Sequence, residues 1–265
     1  FARVAAVDDA VAGAIGGMLA GCLADSGHDV SLVARGTHLE ALQTHGLTVR
    51  WLGQPERTYR LPAVADPARL GQQEVVFIAL KAYSIGEMLR RIVPLIDEET
   101  VVVPAINGLP WWYFLRIGGP REGQHIECLD HDGSMTRALD AKNIVGCVVH
   151  AAGEVVAPGI VEHTSSRLFI LGELDGRKTA RLDAIGSAIS KGGLEPKLTH
   201  RIRNEIWMKL IGNLSYNPLA ALTLSRMNEI NQDEDLLDTI RILMREAMAV
   251  SEAYGEAVTL SIEGR

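Results

Sequence analysis

The sequence is poor in cysteine and contains no long apolar or basic run. Its three cysteines, Cys22, Cys128 and Cys147, are odd in number and show no CxxC spacing. This argues against a disulfide scaffold or a zinc site and fits a reducing compartment. No secretory leader opens the sequence, and no apolar run approaches the length of a membrane span. These absences predict a cytoplasmic protein without a metal ion or a membrane partner.

The charge and length of the chain further restrict the class of protein and its possible partners. The chain has 265 residues and a formal net charge of -7, without a cluster of Lys and Arg. Nucleic acid is therefore not an expected partner, although a few well-placed cations could still bind a small anion. With 47% hydrophobic and 22% charged residues, the chain has material for one large or two ordinary globular domains.

The first part of the sequence alternates short apolar runs with helical segments. Residues 75–80 are continuously apolar, which is typical of a strand covered on both faces. Such alternation predicts a parallel, doubly wound sheet. The predicted strands are 4–7, 29–34, 47–52, 74–80 and 100–103, and the predicted helices are about 13–26 and 84–96.

A change of character near residue 175 predicts two domains. Residues 143–172 are interpreted as further strands that close the sheet edge, and the sequence from Lys178 is helical almost throughout, without a later strand. The predicted fold is α/β, with a Rossmann-type doubly wound parallel sheet followed by an all-helical C-terminal domain. The predicted domains are 1–174, which contains the sheet, and 175–265, which is helical.

A glycine-rich turn opens the first predicted helix. Gly13, Ala14, Ile15 and Gly16 follow a predicted strand, where backbone amides at a helix N-terminus can bind a pyrophosphate. A full GxGxxG motif ending at Gly16 would need glycine at position 11, which is Val11, preceded by Asp8 and Asp9. The alternative is a helix N-terminus rich in small residues for packing.

Three polar residues follow other predicted strands. Arg35 stands where NAD-binding sheets usually carry an acid, and a guanidinium there suits the 2′-phosphate of NADP(H). Lys81 and Asn107 follow the next two strands, at the edge where open α/β sheets bind ligands. Each of the three could instead be an ordinary loop residue.

The segment 205–218 is the most informative in the chain. Lys209, Asn213 and Asn217 recur every fourth residue, so on a helix they lie within roughly 80° of one another. Asparagine is a poor helix former, and buried amides need polar partners. The stripe is therefore either part of a ligand site or a solvated helix face.

The aromatic run at 110–115, Pro-Trp-Trp-Tyr-Phe-Leu, is too apolar to lie in water. The run could belong to the protein core, to the wall of a cleft or to a subunit interface. The interpretation favours the last two and, with them, a possible homodimer.

These motifs together resemble the ketopantoate reductase (2-dehydropantoate 2-reductase) family from about Arg3 to Ala257. The matching segments, in the order of the family, are GAIGG, VARG, LKAY, INGLPWWYF and RNEIWMKLIGNLSYNPLAALT. The resemblance implies a Rossmann domain and a helical domain, with NADPH and a small anionic 2-oxo acid meeting between them. The family continues into further helices, so the helical domain is expected to be incomplete here.

The resemblance also implies roles for individual residues. Lys209 matches the general acid that protonates the ketone oxygen, and Asn107 a residue near the nicotinamide and substrate. Asn213 and Asn217 match residues that hold the substrate. Arg35 matches the cofactor contact that takes the 2′-phosphate, and Lys81 matches a lysine that contacts the cofactor or the substrate. The implied function is reduction of ketopantoate to pantoate. The alternatives are a non-catalytic NADP(H)-binding or sensing protein, or a reductase of another 2-oxo acid.

Overall fold

The computed structural model describes residues 1–8 and 13–259. Within these residues the chain forms twelve strands and eight α-helices, with four short 3-10 turns. The strands are β1 (Val4–Asp8), β2 (Val30–Val33), β3 (Leu47–Arg50), β4 (Arg57–Tyr59), β5 (Ala63–Val64), β6 (Val75–Ala79), β7 (Val101–Pro104), β8 (Val145–Val149), β9 (Ala152–Ala157), β10 (Ile160–Ser165), β11 (Leu168–Glu173) and β12 (Glu195–Leu198). The helices are α1 (Ala14–Asp25), α2 (Gly36–His45), α3 (Ala82–Ile92), α4 (Ser134–Ala138), α5 (Ala180–Lys191), α6 (Ile202–Thr223), α7 (Met227–Ile230) and α8 (Glu234–Ala253).

A five-stranded parallel sheet forms the centre of the fold. Its strand order is β5-β2-β1-β6-β7, and every neighbouring pair is parallel. The strands β6 and β7 are buried along their whole length, because helices cover the faces of such sheets. The predicted doubly wound parallel sheet is thus confirmed, and β1, β2, β6 and β7 correspond to four of its predicted strands.

The remaining predicted strand, 47–52, corresponds to β3 and belongs to a different sheet. It pairs with β4 and β10 in a four-stranded sheet of order β4-β3-β10-β9. Helix α1 packs against this second sheet: a Cβ atom at Gly17 would lie 3.0 Å from Val161 of β10, and one at Gly21 would lie 3.0 Å from Val49 of β3. These two glycines allow the helix to approach the second sheet closely, so packing explains part of the glycine-rich pattern.

The third sheet corrects the expectation that no strand follows Lys178. Strand β12 pairs in parallel with β11, and β11 pairs antiparallel with β8. Two isolated parallel bridges, Val102 to Ile144 and Ala105 to Cys147, join this sheet to the end of the central one. The prediction missed β12 because its four residues (EPKL) are mostly exposed and have little apolar pattern, so its pairing with β11 defines it.

The chain divides into two compact units. Unit 1 contains Phe1–Ile106 and Pro110–Ile202, and unit 2 contains Asn107–Leu109 and the chain from Arg203 onward. This division falls later than the predicted one at 174/175, because α5 and β12 pack with the sheets of unit 1. Among the described residues, no helix is both long and apolar enough to cross a membrane.

The aromatic run is buried within the single chain, which corrects the preference for a cleft wall or a subunit interface. Trp111, Trp112 and Tyr113 are at most 2% exposed. In unit 1, a Cβ atom at Gly146 of β8 would lie 2.9 Å from the Trp112 ring, so this ring packs directly on the third sheet. The run is core, and the predicted homodimer loses the support that it drew from this segment.

Candidate functional site

The carboxyl ends of the parallel strands meet at one edge of the central sheet. Strand β1 lies between β2 and β6, so the strand order reverses at its end, where open α/β sheets form their binding crevice. Helix α1 begins there with Gly13 as its N-cap, and Ala14, Ile15 and Gly16 form its first turn. Val11 and Asp9 lie outside the described residues, and Asp8 is the last residue of β1.

Two cationic residues occupy the N-cap positions of the next helices at this edge. Arg35 is the N-cap of α2, directly after β2, and its side chain is partly buried. Lys81 is the exposed N-cap of α3, directly after β6. Within the described residues, the first turns of α1, α2 and α3 contain no acid. Helix N-termini and cations fit a phosphate-bearing ligand, although Asp8 ends β1 at the same edge.

Sequence reasoning left Tyr83 of α3 without a role, although it lies at the same edge. Its side chain is 83% exposed, two residues after Lys81. The LKAY segment had signalled the site, but the sequence does not show which face of α3 is buried. That face carries Ile85, Met88 and Leu89, so Tyr83 points away from the core.

A neighbouring histidine has a structural role. His38, in the first turn of α2, is buried, and its Nδ1 accepts a hydrogen bond of 3.1 Å from the Gly159 amide. Burial lowers the pKa of His38, because the charged imidazolium is poorly solvated there. The neutral ring links α2 to the start of β10 and is not a candidate ligand group.

The second group of candidate residues lies on helix α6. The helix spans Ile202–Thr223, so the predicted helical placement of Lys209, Asn213 and Asn217 is confirmed. Lys209 and Asn213 are partly buried and Asn217 is exposed. On the opposite face, Ile211 and Ser215 are fully buried. The stripe therefore lies away from the core of unit 2, as a ligand-binding face requires.

Two side-chain hydrogen bonds lie just before Asn217, one within α6 and one from α6 to the residue after α7. The Ser215 hydroxyl donates a hydrogen bond of 2.8 Å to the Ile211 carbonyl, and the Tyr216 hydroxyl donates one of 3.0 Å to Asn231 Oδ1 after α7. Pro218 lies inside the helix and has no amide hydrogen, so it cannot donate to the carbonyl of Leu214. Buried anchors thus immediately precede Asn217, and a local irregularity follows it.

Asn107 belongs to the same unit as this stripe. It follows β7 in sequence, yet Asn107–Leu109 groups with the chain from Arg203 onward. Asn107, Lys209, Asn213 and Asn217 are thus brought into one compact unit, whereas Gly13, Arg35 and Lys81 lie in the other. Sequence spacing could not reveal this division.

The described residues contain no group of three or more His, Cys, Asp or Glu that could hold a metal ion.

The two buried cysteines are not reactive thiols. Burial raises the pKa of Cys22 to about 12 and also raises that of Cys147. Both thiols are therefore protonated at neutral pH and poor nucleophiles. The Cys22 thiol instead donates a hydrogen bond of 3.2 Å to the Ile189 carbonyl, which links α1 to α5.

The strand reversal at β1, the glycine-capped α1 and the cations after β2 and β6 define a dinucleotide-binding protein of the Rossmann class. The chain belongs to the ketopantoate reductase family. The family profile described as ketopantoate reductase PanE/ApbA matches residues 12–176. The profile described as ketopantoate reductase PanE/ApbA C terminal matches residues 201–263.

Individual relatives agree with this assignment. A 2-dehydropantoate 2-reductase of Mesorhizobium japonicum is 41% identical over 255 residues, which cover 96% of this chain and 78% of that protein. A solved structure from Ralstonia solanacearum MolK2, provisionally described as a ketopantoate reductase, has a TM-score of 0.93 at 36% identity and covers 98% of this chain and 80% of that one. D-mandelate dehydrogenase with NADH and anilino(oxo)acetate has a TM-score of 0.78 at 21% identity, covering 97% of this chain and 75% of that one, which shows a shared fold.

Proposed function

We propose that this protein is an NADPH-dependent 2-dehydropantoate 2-reductase, which reduces ketopantoate to pantoate for pantothenate and coenzyme A biosynthesis. The observation that carries the proposal is the match to both family profiles. A relative that is 41% identical across 96% of the chain supports it, as does the Lys209 and asparagine stripe on α6. Homodimerisation and a cytoplasmic location stay predictions.

Unit 1 supplies the groups that would hold the coenzyme. The amides of Gly13, Ala14, Ile15 and Gly16 at the start of α1 would face the pyrophosphate. Arg35 would bind the 2′-phosphate through charge-assisted hydrogen bonds, and Lys81 would add a second positive charge at the same edge. This donor set fits the phosphorylated dinucleotide better than the unphosphorylated one.

Lys209 is the proposed general acid. Bound NADPH supplies a hydride to the carbonyl carbon of the substrate. Negative charge then develops on the ketone oxygen, where the Lys209 ammonium stabilises it and donates the proton that completes the alcohol. The partial burial of Lys209 strengthens this interaction, because it reduces screening by water.

The three asparagines are proposed to orient the substrate. Asn213 and Asn217 lie one and two turns after Lys209 on the same helix, and their neutral amides can bind the carboxylate or hydroxyl of a small 2-oxo acid. They do so without competing for the catalytic proton. Asn107, which belongs to the same unit, is proposed to lie near both nicotinamide and substrate.

A substrate panel tests the proposal. The decrease in NADPH absorbance is followed with ketopantoate, pyruvate, 2-oxoisovalerate and an aromatic 2-oxo acid, and each reaction is repeated with NADH. The expected result is the highest kcat/KM with ketopantoate and NADPH. Faster reduction of another 2-oxo acid would replace the substrate and keep the mechanism. Tight NADPH binding without turnover of any of them would instead favour a non-catalytic sensor.

A further inference from the structure

The outward face of α3 carries one aromatic side chain among charged ones. Tyr83 is 83% exposed, and one and two turns further along the same face are the exposed Glu87 and Arg90. A single exposed aromatic residue is ordinary on a protein surface. The place of Tyr83 in the fold distinguishes it, because it is in the first turn of α3, immediately after the carboxyl end of β6.

The start of α3 lies on one side of the point at which the strand order of the central sheet reverses. Strand β6 and strand β2 are the two neighbours of β1, so their ends flank the crevice at which Rossmann sheets bind dinucleotides. Helical side chains lean towards the helix N-terminus. The phenol ring of Tyr83 therefore leans from the outward face of α3 towards this edge of the sheet.

Distance favours the adenine ring as its ligand. The ends of β2 and β6 are separated by two strand spacings, about 9.5 Å. Arg35, directly after β2, is the proposed contact of the 2′-phosphate, and adenine is attached to the same ribose. The nicotinamide lies beyond the pyrophosphate. A tyrosine in the first turn of α3, four residues after the end of β6, is thus placed to reach the adenosine half.

We propose that Tyr83 stacks on the adenine ring of the bound dinucleotide and so contributes to coenzyme affinity. The inference rests on the proposed function, since it takes NADPH as the ligand. Aromatic rings prefer offset-stacked or edge-to-face contacts, and a phenol can make either contact with a purine without a hydrogen bond from its hydroxyl. Phenylalanine should therefore replace Tyr83, whereas alanine should not.

Calorimetric binding to the whole protein tests this role separately from turnover. Tyr83→Ala should raise the Kd for NADPH and for 2′,5′-ADP by the same factor, about 10-fold, and should leave the Kd for reduced nicotinamide mononucleotide unchanged. Tyr83→Phe should stay within about 2-fold of the unmutated protein for all three ligands. The control is Leu52→Ala, which removes another exposed side chain of unit 1, 67% exposed, and should change none of these constants.

Three results would overturn the inference. An unchanged Kd for 2′,5′-ADP in Tyr83→Ala, with NADPH binding and turnover intact, would remove the stacking role and leave the proposed function standing. Weaker binding of only the nicotinamide mononucleotide would assign Tyr83 to the other ring. If the unmutated protein bound neither NADPH nor 2′,5′-ADP, this inference and the proposed function would both fail.

Discussion

The two units differ in how they bury their apolar residues. In unit 1, the central strands and the run Trp111–Tyr113 are almost completely buried. In unit 2, Leu222, Leu224 and Met227 are 82%, 91% and 57% exposed, although α6 and α8 are the longest helices of the described chain. Unit 1 thus combines a large buried core with scattered exposed apolar side chains such as Leu52, whereas the most exposed of those in unit 2 are clustered at residues 222–227.

This difference separates two tasks. The proposed coenzyme contacts Arg35 and Lys81 are caps of helices whose strands are fixed in a buried sheet. The proposed general acid Lys209 and the substrate-binding Asn213 and Asn217 lie on helix α6 of unit 2. Substitutions in unit 1 should therefore change coenzyme affinity or stability, and substitutions on the α6 stripe should change turnover.

The largest effect is expected for Lys209→Ala. Loss of the general acid should lower kcat by about 10²–10⁴-fold, while the Kd for NADPH stays nearly unchanged because most of the proposed coenzyme contacts belong to unit 1. Steady-state kinetics and calorimetry measure the two quantities. Lys191→Ala, in the last turn of α5, is the control for loss of a lysine. Turnover of Lys209→Ala at the unmutated rate would mean that the stripe is only a solvated helix face.

The next effect is on the stability of unit 1. Gly192 follows α5, and a Cβ atom there would overlap the carbonyl oxygen and sulfur of Cys22 on α1. Gly192→Ala should therefore lower the free energy of unfolding by about 3 kcal/mol, because packed backbone must move apart. Urea denaturation measures the change. Gly86→Ala is the matched control: its nearest neighbour, Met135 Sδ, is 3.6 Å away, so it should be neutral or slightly stabilising. Equal stability of the two variants would contradict the packing argument.

A smaller effect is expected for coenzyme choice. Arg35→Ala should weaken NADPH binding by about 10–100-fold through loss of charge-assisted hydrogen bonds and should leave NADH binding almost unchanged. Calorimetry with both coenzymes tests this prediction. Arg90→Ala, in the last turn of α3 at the far end from the proposed site, should affect neither. Equal affinities for NADPH and NADH in the unmutated protein would remove the proposed role of Arg35.

The smallest effect concerns pH. Burial lowers the pKa of His38, so the unfolded chain accepts a proton more readily than the folded protein does. The stability that His38 contributes is present above its unfolded pKa of about 6.5 and is lost as the pH falls through the lower folded-state pKa. In urea denaturation, His38→Gln should therefore lose less stability than the unmutated protein between about pH 7.5 and about pH 5.5.

His131→Gln is the control for this prediction, because the His131 side chain is 86% exposed. It should retain the pH dependence of the unmutated protein. If His38→Gln and His131→Gln showed the same pH dependence, burial of His38 would not be its source.

The comparison also explains what the sequence could predict. Residues 4–7 of β1 and the whole of β6 and β7 are buried, and their apolar runs are visible in the sequence without any partner. The strands β4 and β12 are short and mostly exposed, so only their pairing with β3 and β11 defines them. Apolar sequence patterns indicate buried strands, but they indicate poorly which exposed segments pair as edge strands.

In the candidate site, too, the sequence predicted the local features and missed those that depend on tertiary packing. The four-residue spacing of Lys209, Asn213 and Asn217 predicts a shared helix face, since helix geometry is local. The grouping of Asn107 with unit 2 depends on tertiary packing that spacing does not encode. The aromatic run was predicted to be shielded from water, but an apolar run cannot indicate whether a partner subunit or its own chain provides the cover.

The distribution of tryptophan gives the protein an internal optical reporter. Trp51, Trp111 and Trp112 lie in unit 1 and Trp207 lies in unit 2, all at most 6% exposed. Indole emission shifts to longer wavelength when a buried ring enters water. A Trp207→Phe protein would therefore report the unfolding of unit 1 alone, and the difference between its denaturation curve and that of the unmutated protein would report unit 2.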